Sequence, residues 1–121
     1  MTGVTSKLTY VGAGLLALTA LFHGYAFLSA AQVANSEQAH PFTAYFLEPI
    51  WLAPSVTWLG LAVMACMKPA YKVALIVAAI PILQAMIMFI FMGPFPGAIA
   101  VGLSGLLLLF GALAQRRNMT A

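Results

Sequence analysis

Apolar and polar positions alternate along this chain on a coarse scale, with long apolar stretches divided by short polar breaks. Four apolar runs stand out, at about 8–31, 49–67, 71–92 and 98–114. Crossing the hydrocarbon of a bilayer takes about 20 helical residues, within a range of about 17–25, and each run meets that requirement. Backbone polar groups in lipid find no water, so the runs are predicted to be helices that satisfy their own hydrogen bonds. The breaks fit the same reading. Asn35, Ser36, Glu37, Gln38, His40 and Pro41 form a polar connection, Lys68-Pro69-Ala70-Tyr71-Lys72 a short one, and Gly93-Pro94-Phe95-Pro96-Gly97 a tight turn. Short connections place successive helices side by side in opposite directions. The predicted fold is therefore all-α: one membrane domain over 1–121, a four-helix bundle of up-down-up-down topology.

Composition sharpens this picture. Hydrophobic residues make up 64% of the 121 residues and charged residues only 6%, with a mean hydropathy of +1.03. A water-facing surface normally needs about 25% charged residues. The bilayer is thus the main partner. The net charge of +3 rests on Lys7, Lys68, Lys72, Arg116 and Arg117, which edge the apolar runs and form no basic stripe, so nucleic acid is not a predicted partner. All five cations fall on one side of a four-span arrangement, and Glu37 and Glu48 fall on the other. By the positive-inside rule both termini are predicted to be cytoplasmic, with Tyr10 and Tyr71 at the inner interface and Tyr45 and Trp51 at the outer one. The first run is longer than the 7–15-residue core of a secretion signal and reads as a retained helix. Asn118-Met119-Thr120 fits a glycosylation pattern but lies on the predicted cytoplasmic side.

Helices in lipid associate through small residues that permit close approach. Ala13, Ala17, Ala20 and Gly24 lie along one stripe of the first helix, and Gly102 and Gly105 on one face of the fourth. These are the predicted seams, within the chain or between copies of it. Pro54 and Pro81 stand inside the second and third helices, where each removes a backbone donor.

Few residues carry chemistry. His23 is the one titratable side chain well inside a span, and such groups are functional candidates. By residue count, His23, Thr57, Gln84 and Ser104 each fall about 9–12 Å below the outer ends of their helices, at 1.5 Å per residue. Facing inward, they would form a polar layer able to take a proton, a polar headgroup or a small solute; the structural alternative is interhelical hydrogen bonding. Glu48, just before Pro49, fits the electropositive start of the second helix. Glu37, His40 and Glu48 match no metal-ligand spacing, and Met64, Cys66 and Met67 do not share one face. No catalytic residue, metal site or cofactor is assigned.

Phe22-His23-Gly24-Tyr25-Ala26 resembles part of a motif of the nickel permease proteins that accompany hydrogenases and ureases. That motif continues with His, Gly and Glu where this chain has Phe27, Leu28 and Ala30. His40-Pro41 resembles the opening of the family's second motif, but its Asp and His are absent, so the resemblance does not extend to nickel transport. The whole chain resembles the small four-helix bacterial membrane proteins of the DoxX-like type in its length, its four spans, and a Pro94/Pro96 turn leading into a Gly-rich last helix. That resemblance implies the fold and a bacterial inner membrane. The function predicted first is an accessory or interaction subunit of a membrane system, acting through helix packing as a homo-oligomer or in a larger complex. The alternative is a small transporter or solute-binding protein using the polar layer.

Overall fold

The computed structural model describes residues 3–34, 36 and 41–120, with side chains described at 7–29, 31, 32, 36, 41 and 49–120. It is all-α: α1 (Gly3–Ala34), α2 (Pro41–Cys66), α3 (Tyr71–Met92) and α4 (Pro96–Thr120). Each helix contains a stretch long and apolar enough to cross a membrane. Large apolar side chains cover the outside, with Phe22 75% and Phe91 82% exposed, as befits a protein whose solvent is lipid.

The helices run past the apolar stretches. The polar connection before the second span ends at Pro41, which opens α2. A proline suits a first helical position, where the missing N–H has no intrahelical acceptor to serve. Hydropathy marks the span and the backbone marks the helix, so the two boundaries differ by a turn or two. This corrects one expectation: Pro49 and Glu48 lie inside α2 rather than at its start, so Glu48 does not sit at the helix terminus. Glu37 and His40 fall outside the described residues, as does the Glu48 side chain.

The breaks between later helices have local causes. Lys68 takes φ 53° just after α2, a left-handed conformation that ends a helix, and Pro69 prevents resumption. Gly93 closes α3 at φ 74° and donates its N–H to the Phe89 carbonyl at 3.1 Å. Pro96 then starts α4.

α1 packs against both α2 and α4, α3 packs against α4, and α2 meets α3 at few points. The small residues make the α4 seams. A Cβ on Gly105 would lie 3.0 Å from the Ile82 amide nitrogen and 3.1 Å from the Ala78 carbonyl. One on Gly102 would lie 3.2 Å from Ala85 Cβ, and one on Gly12 3.1 Å from the Ser104 carbonyl. Gly111 meets Thr9 in the same way. Ala13 and Ala20 are buried and Ala17 packs against the same core. At Ala13, Ala20, Gly102 and Gly105 these contacts lie within the chain. At the centre, Leu16, Ala78, Val101 and Ser104 are fully enclosed.

Candidate functional site

The polar side chains converge where α1, α2 and α3 approach one another. Three residues of α2 prepare the place. Trp51, Ser55 and Trp58 are spaced i, i+4 and i+7, so they share one helical face. That face continues through Ala62 and Ala65, both buried. It is the face α2 turns toward α1.

His23 of α1 meets this face twice. Its ring lies on the Trp51 indole, with centroids 4.8 Å apart and planes 4° from parallel. The Trp58 ring meets it edge-on at 5.2 Å and 63°. The backbone completes the arrangement. His23 Nε2 donates to the Trp51 carbonyl at 2.8 Å, and Trp51 Nε1 donates to the His23 carbonyl at 3.0 Å. A carbonyl oxygen only accepts, so the Nε2 proton is required and Nδ1 is the acceptor nitrogen of the neutral ring.

Pro54 lies in the same stretch of α2. A proline inside a helix lacks the N–H that would bond four residues back, and its ring pushes on the carbonyl there, opening the preceding turn. In membrane helices, carbonyls freed in this way are taken up by neighbouring side chains. The carbonyl four residues before Pro54 is that of Ile50; the Trp51 carbonyl, next along the same turn, accepts the His23 bond.

Ser55 then stands alone. Thr19, Thr57 and Ser104 each donate their hydroxyl to the carbonyl four residues back, Leu15, Ala53 and Ala100, at 2.8, 2.9 and 2.7 Å. For Ser55 that carbonyl belongs to Trp51, the acceptor of the His23 bond. Ser55 Oγ is buried and has no hydrogen-bond partner among the described residues. Leaving a buried hydroxyl unpaired costs about 1–3 kcal/mol. The neighbouring position on α1 is Gly24, whose absent Cβ would lie 3.7 Å from Ser55 Oγ.

The cluster reaches α3 through one bond: Trp58 Nε1 donates to Gln84 Oε1 at 2.7 Å. The indole is buried, so its N–H needs that partner. The Gln84 amide nitrogen keeps two donors for other use.

Of the four residues read as one polar layer, His23 and Gln84 reach the same cluster through Trp58, without bonding each other. Thr57 is exposed on α2 and bonded to its own backbone, and Ser104 is enclosed in α4 and likewise self-bonded. Depth alone placed the four together, but depth carries no information about direction around a helix. Trp51, Ser55 and Trp58 were missed as site residues. Their i, i+4, i+7 spacing is the available signal, and an interfacial position for Trp51 says nothing of its bond to His23. Comparison of the chain with protein-family models, with curated proteins and with solved structures finds no match.

Proposed function

We propose that this chain is a small multi-pass protein of a bacterial inner membrane that binds a small, membrane-soluble molecule carrying a hydroxyl or carbonyl oxygen. Its helices run up-down-up-down with both termini in the cytoplasm. The seam contacts support this topology: residues 9 and 12 of α1 meet 111 and 104–108 of α4, and 102 and 105 meet 85 and 78–82 of α3, numbers rising on one helix as they fall on the other. The distribution of the five cations supports the orientation.

The single observation that carries the ligand reading is Ser55. It is a buried hydroxyl with no hydrogen-bond partner among the described residues, 3.7 Å from where a Gly24 Cβ would stand, on the same face of α2 as the Trp51 and Trp58 rings that hold His23. A bound oxygen would take the Ser55 hydrogen bond and lie against the aromatic rings. His23 Nδ1 and the Gln84 amide offer one acceptor and further donors for a second polar group.

A second reading, an accessory subunit of a larger membrane complex, is favoured by the outer face of α2. A Cβ on Gly60 would meet nothing within 4 Å, and Thr57 is exposed on the same helix. A small-residue face of this kind admits another helix at close range.

Native mass spectrometry of the protein gently extracted from its own membrane separates the two readings. A small-molecule adduct that disappears in Ser55→Ala supports the ligand site. A stoichiometric unrelated subunit with no small-molecule adduct overturns it in favour of the accessory reading. For the topology, reporters fused at residue 38 and at the C-terminus should lie on opposite sides, and a common side would refute four spans.

A further inference from the structure

A second site lies at the other end of the molecule, where α4 ends beside the start of α1. Phe110, Leu113, Arg117 and Thr120 are spaced i, i+3, i+7 and i+10, one stripe of α4. The stripe is apolar over its first half and polar over its second. Leu8 of α1 and Arg116 complete an open groove of about 700 Å³. From Phe110 to Arg117 the helix rises about 10 Å. The groove is therefore graded along the membrane normal, with hydrocarbon-like walls toward the bilayer interior and two guanidinium groups at its edge.

Among the described residues, those guanidinium groups have no carboxylate partner. The only acidic side chains of the chain are Glu37 and Glu48, so α1, α3 and α4 contain none. Arg116 lies over the Tyr71 ring at 5.3 Å from its centroid. That cation–π contact holds the Arg116 side chain in place beside the groove. Among the described residues, Arg117, one position on, makes no such contact.

We propose that this groove holds one phospholipid with an anionic headgroup. Arg116 and Arg117 receive the phosphate, for which the planar guanidinium fork is well matched. The acyl chain lies along Leu113, Phe110 and Leu8. Charge complementarity and the apolar-to-basic order of the stripe select this occupant: a soluble anion would gain nothing from the apolar half, and a zwitterionic lipid would bring its own cation to the two arginines. Basic pockets between helices at the cytoplasmic face are a recurring setting for such lipids.

The test is native mass spectrometry of the full chain released from nanodiscs containing equal phosphatidylglycerol and phosphatidylcholine. The unmodified protein should retain phosphatidylglycerol preferentially, and Arg116→Gln/Arg117→Gln should reduce that preference about tenfold. Lys68→Gln/Lys72→Gln removes the same charge from the same end and should leave the preference within about twofold. Equal losses in the two double variants would reduce the effect to general surface charge and overturn the site, as would an unmodified protein with no preference. Should the double arginine variant fail to insert, Arg117→Gln alone decides, because its guanidinium supports no ring contact. A loss of about threefold or more is expected there, and no loss refutes the proposal.

Discussion

His23 and Trp51 exchange hydrogen bonds: each donates a ring N–H to the other's backbone carbonyl while the two rings lie face to face, 4° from parallel. Two bonds and one stacked contact join a single residue of α1 to a single residue of α2, so the three contributions should be coupled. His23→Ala and Trp51→Phe should each destabilise the protein by about 1–3 kcal/mol. In a double-mutant cycle read by denaturant titration in detergent, the coupling should be about 1–2 kcal/mol. Additive losses would mean that the pair does not act as a unit.

Ser55→Ala should behave in the opposite way to an ordinary core truncation. With no partner to lose, removing the hydroxyl relieves an unpaired buried group, so the ligand-free protein should be unchanged or stabilised by up to about 1 kcal/mol. The same variant should lose the bound molecule. A stability loss above about 1 kcal/mol in ligand-free protein would show that the hydroxyl already has a partner there.

The α4 seams predict a contrast among glycines. Gly105→Leu drives a side chain into the α3 backbone and should cost about 3 kcal/mol or more, with loss of native packing. Gly14→Leu and Gly60→Leu point where a Cβ meets nothing within 4 Å, and should be neutral or gain up to about 1 kcal/mol in helix propensity. Thermal unfolding in detergent compares all three, and equal effects would contradict the seam geometry.

Thr57→Val removes a hydroxyl satisfied by its own helix on an exposed face and should change stability by less than about 0.5 kcal/mol. It should also leave any small-molecule adduct in place. Loss of the adduct in this variant would restore the four-residue layer over the His23–Ser55–Gln84 cluster.

What the sequence revealed of this protein follows from which physical signal is strongest. Four apolar lengths and their breaks stood out because lipid demands long, self-satisfied helices, and Gly93-Pro94 and Lys68-Pro69 mark breaks with residues that end helices. Helix boundaries were less visible, since Pro41–Glu48 is helical without being apolar enough to read as span. The seam residues Ala13, Ala20, Gly102 and Gly105 were legible from size alone. Gly12 and Gly111 were not, although they make equally close contacts with α4 and α1. At the site, His23 announced itself as an ionisable group in an apolar run. Its partner is a carbonyl, which every residue has, and the Trp51–Ser55–Trp58 spacing marks only the face of α2 on which that carbonyl's residue lies.

The sparse contact between α2 and α3 has a consequence for the chain as a polymer. α1 with α2, and α3 with α4, are neighbours in sequence as well as in space, and the two pairs are held together mainly along the α1–α4 seam, with the Trp58–Gln84 bond as a side link. The covalent connection at 67–70 spans the least-contacted edge of the bundle, so cutting it removes little of what joins the pairs. Two fragments, 1–68 and 69–121, co-expressed in one membrane, should reassemble by complementation. The glycines at 12 and 111, rather than the peptide bond between the fragments, would set the affinity of one half for the other.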